Sequence, residues 1–276
     1  ESTSRKGLEK LEILKKTIAR KKFFPENSTA NSNEIRAMYY DEPNRRLLIG
    51  NKLGMLQIIH DRDTTVITDD GHGGKLGRIY GIGKDSRGNY WLSSKGKGLI
   101  QLEPAAGGYR KTVYSHNPKD PMSISSNDAY CTVEDKYGNL WVATYSGGVN
   151  IMTRSKEGRT VFLHSRNVIR HYPHGAYNKV RTLVADHAGN VWAGTTDGLL
   201  VMSYRNNRIR IQTVSDTENG EHNLMSKDIV ALACDSKGTV WIGTNGGGLS
   251  HTTGRDKQGN WKFETFGCND GLPSEE

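Results

Sequence analysis

An all-β fold assembled from repeated units is what this sequence predicts, and three observations predict it. First, one motif recurs. It reads Asp85-Ser86-Arg87-Gly88-Asn89-Tyr90-Trp91, Asp135-Lys136-Tyr137-Gly138-Asn139-Leu140-Trp141, Asp186-His187-Ala188-Gly189-Asn190-Val191-Trp192 and Asp235-Ser236-Lys237-Gly238-Thr239-Val240-Trp241. Second, its spacing is regular. The steps from Trp to Trp are 50, 51 and 49 residues, and a worn copy, Asp41 to Leu47 with Leu47 in the Trp place, stands 44 residues upstream of Trp91. Third, the units are rich in β-branched and aromatic residues and punctuated by Gly, not apolar at helical spacing. A period of roughly 45–50 residues is the size of a propeller blade. The expected fold is a β-propeller of four-stranded antiparallel blades.

Each element of a unit has a local reason. Ala129-Tyr130-Cys131-Thr132-Val133 reads as the first strand. Asp-x-x-Gly-Asn then turns the chain: the carboxylate can bind backbone N–H groups, and Gly takes the left-handed residue that other side chains resist. Leu140-Trp141-Val142-Ala143 is apolar on both faces, which requires sheets packed on either side. Gly147-Gly148 turns into a third strand, Val149-Asn150-Ile151-Met152, and Thr160-Val161-Phe162-Leu163 makes the fourth. The recurring Asp85, Asp135, Asp186 and Asp235, with Trp91, Trp141, Trp192 and Trp241, are read as structural residues. The Trp side chains are expected to be buried between neighbouring blades.

In chain order, Lys6-Gly7-Leu8-Glu9-Lys10-Leu11 matches Lys97-Gly98-Leu99-Ile100-Gln101-Leu102, so residues 1–29 read as a partial blade. Leu8 to Arg20 alone would also pass for a charged helix; the register with later units favours two strands over 8–24. Five blades follow at 30–74, 75–122, 123–175, 176–225 and 226–270, and 271–276 reads as the start of another. The expectation is a fragment, about five blades plus a partial one, of a larger propeller. As a piece it should form an open arc, or pair its edges near Leu8–Leu14 and Val240–Leu249 with another copy.

The chain has 276 residues and a net charge of +8, a moderate bias that favours acidic partners without naming one. Cys131, Cys234 and Cys268 form no CxxC and no zinc spacing, and the two inside strands read as buried thiols. No run of about 18 apolar residues is present. His164, His171 and His174 lie in a loose loop around Tyr172-Pro173 and read as solvated histidines, not metal ligands. Asp61-Arg62-Asp63 and Asp69-Asp70-Gly71 lack the alternation and closing Glu of a calcium loop. Gly246-Gly247-Gly248 has no following Lys-Ser/Thr, so it is no phosphate loop. Asp256 to Trp261 is read as the outer hairpin of the fifth blade. Lys21-Lys22 and Arg45-Arg46 lack the interleaved aromatics of a nucleic-acid groove. No carboxylate pair or Ser-His or Cys-His arrangement singles itself out for catalysis, so no catalytic residue, metal or cofactor is assigned.

Geometry narrows the place for a ligand. In a meander the Asp turns lie at one end of the blade, and the second-to-third turns and inter-blade links at the other. Around that second end three registers collect varied side chains: Asn51, Lys95, Tyr145, Thr196 and Asn245; Arg36, Tyr80, Tyr130, Arg181 and Val230; and Glu34, Arg78, Asp128, Lys179 and Asp228. The ligand-binding candidates are Arg78, Tyr80, Lys95, Tyr130, Tyr145, Lys179, Arg181 and Asn245. Tyr faces stack on sugar rings, and Arg or Lys pair with carboxylates or sulfates.

The motif Asp-x-x-Gly-Asn-Leu-Trp-Val-Ala-Thr with Gly-Gly-Val resembles the two-component regulator propeller repeats. So do the loop His116-Asn117-Pro118-Lys119-Asp120-Pro121-Met122-Ser123 and the stretch Asp270-Gly271-Leu272-Pro273-Ser274. Those repeats build the periplasmic sensor region of hybrid two-component histidine kinases of Bacteroides-type bacteria. The resemblance covers nearly the whole chain; the Leu47 unit departs from it by lacking Trp. It implies seven-bladed propellers, a periplasmic location in an inner-membrane sensor, and oligosaccharides as the signal. The implied partners are an oligosaccharide, acidic ones included, the remaining blades and domains of the parent sensor, and a second copy of the chain; no nucleic acid is expected. The segment itself is expected not to be an enzyme. The alternatives are a structural or protein-interaction propeller and a propeller glycan hydrolase or lyase.

Overall fold

The computed structural model describes residues 3–4, 7–12, 17–21, 23, 34–173, 175–214 and 224–274. The expected four-stranded antiparallel blades are present. Strands β1 (Thr3–Ser4), β2 (Gly7–Glu12) and β3 (Thr17–Lys21) form a three-stranded sheet, with Leu8 opposite Lys21. The charged N-terminal run is therefore strand, not helix. His174, the link Asn31 to Asn33, and parts of the 8–24 stretch lie outside the described residues.

Five meanders follow, each with its strands in sequence order. The first is β4 (Ile35–Asp41), β5 (Arg46–Asn51), β6 (Leu56–His60) and β7 (Asp63–Ile67). The second is β8 (Arg78–Lys84), β9 (Tyr90–Lys95), β10 (Gly98–Ala105) and β11 (Gly108–Tyr114). The third is β12 (Ala129–Glu134), β13 (Leu140–Thr144), β14 (Gly148–Arg154) and β15 (Thr160–Leu163). The fourth is β16 (Val180–Ala185), β17 (Val191–Thr195), β18 (Gly198–Arg205) and β19 (Arg208–Val214). The fifth is β20 (Ile229–Cys234), β21 (Val240–Thr244), β22 (Leu249–Arg255) and β23 (Trp261–Phe266). The chain divides into two compact units, residues 1–115 with 127–129, and 116–126 with 130–276.

In the first unit, Leu48, Leu56 and Ile58 of the first blade pack with Ile79, Tyr90, Leu92 and Ile100 of the second. In the second unit, Trp141, Ala143 and Ile151 pack on Val180, Val191 and Leu200. Trp192 and Val201 likewise pack on Ile229, Val240 and Ile242. Both faces of β13 and β17 are fully buried, as their apolar runs require.

The Asp turn does more than cap itself. Asp135 Oδ1 accepts from the backbone N–H groups of Tyr137 and Asn139, at 2.9 and 3.0 Å, and Gly138 sits at φ 80. The other oxygen, Oδ2, accepts from Trp141 Nε1 at 2.8 Å. The same bond joins Trp91 to Asp85, Trp192 to Asp186 and Trp241 to Asp235. Each indole therefore buries its ring without stranding its N–H.

Trp91, Trp141 and Trp192 are 0% exposed, and Trp241, at the same place in β21, is partly buried. It leans on His251, ring centroids 4.7 Å apart. The Leu47 blade replaces the indole from outside itself. Asp41, 1% exposed, accepts from Tyr90 Oη and from Lys84 Nζ, both of the second blade, and from Asn44. Burial pushes its carboxyl up, but the bonds from Lys84, Tyr90 and Asn44 outweigh it and hold the pKa at about 2.

Two further expectations are corrected. His164 is 4% exposed, not solvated: its Nε2 meets Ser123 O and its Nδ1 accepts from Arg166 N, so it ties the loop before β12 to the end of β15. Cys131 and Cys234 are half-buried, and burial pushes the Cys131 thiol up to about 12, so it is inert as a nucleophile. Asp256 forms the outer hairpin turn of the fifth blade as read, accepting from Gln258 N and Asn260 N.

Candidate functional site

The first strands of four of the blades share one irregularity. In β4, Ile35 pairs with Asn51 and Ala37 with Gly50, leaving Arg36 extra. In β8, Tyr80 is extra between Ile79 and Gly81. In β16 it is Arg181, and in β20 it is Val230. These are β-bulges, and a bulge re-aims the side chain it inserts. They fall on the register picked out in sequence as five residues before the turn Asp. The first strand of each of these blades thus breaks its own ladder to present that residue.

In the first unit the bulged residues meet. The Arg36 guanidinium lies 5.6 Å from the Tyr80 ring centroid and Lys95 Nζ 6.0 Å from it. Arg78 stands directly across from Lys95. Glu34 pairs with Arg36 and, at 2.9 Å, with Lys52; the hydrogen bond from Lys52 holds its carboxyl below the usual range. Asp128 Oδ1 accepts from Gly96 N. Tyr80 and Lys95 are thus brought together, with Arg36 over the same ring, and Arg78 faces Lys95 across the strand pair.

In the second unit Tyr130 and Tyr145 stack, centroids 5.2 Å apart and planes at 21°. Arg181 Nη1 meets Asp228 Oδ1 at 2.7 Å, and Asn245 Nδ2 donates to the other oxygen at 3.1 Å. Arg181 and Asn245 are therefore joined through one carboxylate. Lys179 is exposed two residues before Arg181. Thr196 Oγ1 donates to Ala176 O.

Asn51 belongs to the scaffold instead. It is 0% exposed, and its Oδ1 accepts from Leu53 N and Met55 N, closing its own turn. Two concave clefts among the described residues lie elsewhere. One of about 670 Å³ is lined by Met122, Val161, Leu163, Tyr204 and Ile209, and another of about 590 Å³ by Tyr137, Gly189, Arg205, Arg208 and Arg210. Neither contains a sequence-derived candidate. The signal for the second was present in sequence as Arg205-Asn206-Asn207-Arg208-Ile209-Arg210. No cluster of three potential metal-binding side chains occurs among the described residues.

The family model for the two component regulator propeller matches residues 123–146 and 223–246. Each match runs from the link before a first strand, through the bulge register and the Asp turn, to the Trp strand. No curated protein matches the chain. Among solved structures, the extracellular domain of a proposed one component system from B. thetaiotaomicron is similar. It has 19% identity and a TM-score of 0.63, over 92% of this chain and 33% of that one. The extracellular domain of a proposed hybrid two component system from B. thetaiotaomicron has 16% identity and a TM-score of 0.51, over 98% of this chain and 44% of that one. Virginiamycin B lyase from Staphylococcus aureus has 11% identity and a TM-score of 0.59, over 87% of this chain and 72% of that one. At these identities the likeness is one of fold. The chain spans a third to under half the length of the two B. thetaiotaomicron domains. Two stretches of it match the two-component regulator propeller repeat, in line with its motifs.

Proposed function

We propose, for a chain with two stretches that match the two-component regulator propeller repeat, that it is part of the extracytoplasmic sensor region of a hybrid two-component histidine kinase, and that it reads an oligosaccharide. The observation that carries this reading is the bulge. Arg36, Tyr80, Arg181 and Val230 each interrupt the first strand of a blade at the same register, at the end away from the Asp turns. A bulge re-aims the side chain it inserts, and in the first unit it brings the Arg36 guanidinium to the Tyr80 ring. The Tyr80 ring among Arg36 and Lys95, and the Tyr130–Tyr145 stack, supply aromatic faces for sugar rings and cations for carboxylates or sulfates. Binding without turnover is the expected behaviour.

Calorimetry against a panel of oligosaccharides, followed by chromatography of each mixture, tests it. A saturable heat with the sugar recovered intact supports the sensor reading. Cleaved product supports a hydrolase or lyase, and silence across neutral and acidic sugars leaves a protein-interaction propeller.

A further inference from the structure

We infer that the outer tip of the fourth blade is a second binding site, an arginine cleft that takes a sulfated saccharide. It lies beside the Asp turns, at the opposite end of that blade from Arg181, and does not depend on what binds at the bulges. It begins with a two-residue hairpin. Asn206 and Asn207, at φ 50 and 58, join β18 to β19, the left-handed pair that such a tight turn requires. The turn fixes the register: Arg205 stands opposite Arg208, and Ser203 opposite Arg210. Because side chains alternate along a strand, all four share one face.

Like charges directly opposite each other destabilise a strand pair. Nothing in the hairpin relieves the repulsion, since no carboxylate among the described residues pairs with Arg205, Arg208 or Arg210. The equivalent hairpin of the second blade shows the ordinary solution: Glu103 stands opposite Arg110 and pairs with it. The fourth blade keeps three arginines together without such a partner, and they line a cleft of about 590 Å³.

The cleft has a built wall. A Cβ at Gly189 would lie 2.7 Å from Tyr137 Cε2 and 2.6 Å from Lys136 Cε, so the third blade's turn lies directly on that glycine. Tyr137 is 42% exposed, and the Arg205 guanidinium sits 5.4 Å from its ring centroid. Guanidinium forks match sulfate and carboxylate oxygens two at a time. Ser203 and Asn206 add neutral donors between them, which suit sugar hydroxyls. A concave cleft admits a soluble chain better than a flat membrane surface.

The test is calorimetry on the full chain with a heparin tetrasaccharide, with its desulfated form and anionic phospholipid vesicles as the other arms. The expected result is binding of the sulfated form that weakens steeply with salt, and none of the desulfated form. Arg208→Gln with Arg210→Gln should weaken it by about tenfold or more, the scale of a lost charge-assisted contact. Arg110→Gln should bind like the unsubstituted chain. The double variant should also melt no lower, since it removes a like-charge pair. The inference is overturned by no binding of the sulfated form, by equal binding of the desulfated form, or by an unchanged double variant. Equal loss in Arg110→Gln, which would indicate net charge alone, or tighter binding of the vesicles would also overturn it. Loss in Tyr145→Ala alone would assign the ligand to the bulge end and overturn the cleft while sparing the proposed function.

Discussion

Trp141 Nε1 donates to Asp135 Oδ2 at 2.8 Å, while the other oxygen of the same carboxylate closes the turn that leads into the tryptophan's strand. One side chain thus sets the turn and satisfies the buried indole. This explains why the Asp and the Trp recur together six residues apart. In the fifth blade the hydrogen bond from the Trp241 indole holds the Asp235 carboxyl below the usual range.

A double-mutant cycle should read this bond directly. Trp141→Phe and Asp135→Ala, singly and together, should show a coupling of about 1.5–3 kcal/mol, the range for a hydrogen bond to a charged group. Trp141→Ala should cost about 3–5 kcal/mol, as large-to-small core changes do. Chemical denaturation checks both; additive single effects would leave the bond without weight.

The Asp41 carboxyl predicts an acid limb. Its folded pKa is about 2, below the ordinary 3.8, so its stabilisation is full above about pH 4 and is lost as pH falls through about 2. The magnitude is of order 2 kcal/mol. The stability difference between the unsubstituted chain and Asp41→Asn should be flat at neutral pH and shrink between about pH 4 and 2. A difference that stays constant over that range would contradict the assignment.

Much of this was legible in the sequence, because turn chemistry and period are local. Asp, Gly and Trp at fixed offsets predicted the blades, the turns and the strand that is buried on both faces. What was not legible depends on partners far away in sequence. Tyr90 and Lys84 come from the second blade to serve Asp41, and no offset within the first blade announces them. Asn51 shares a register with Lys95 and Tyr145 but is turned inward by its own loop. Tyr80 and Arg181 were picked by register, yet the bulges beneath them depend on pairing with the next strand, which a single strand does not reveal.

Gly189 and Gly88 make a matched pair. Both are left-handed, at φ 91 and 88, but a Cβ at Gly88 meets nothing within 4 Å, whereas at Gly189 it meets Tyr137 and Lys136. Gly88→Ala should therefore cost only the backbone strain, about 1–2 kcal/mol. Gly189→Ala should cost measurably more, and it should also disturb the fluorescence of Tyr137. Equal melting temperatures for the two variants would show that the contact is slack.

The central claim is that the bulge end of the blades binds an oligosaccharide, and one measurement tests it most directly. It is the affinity of the best sugar from the calorimetric panel for Tyr80→Ala and Tyr145→Ala, beside Arg110→Gln as a control at the other end. The account predicts that at least one tyrosine variant loses about 1 kcal/mol or more of binding, the scale of a stacking or cation–π contact, with its melting temperature kept and the control unchanged. A sugar that binds both tyrosine variants as tightly as the unsubstituted chain would contradict it.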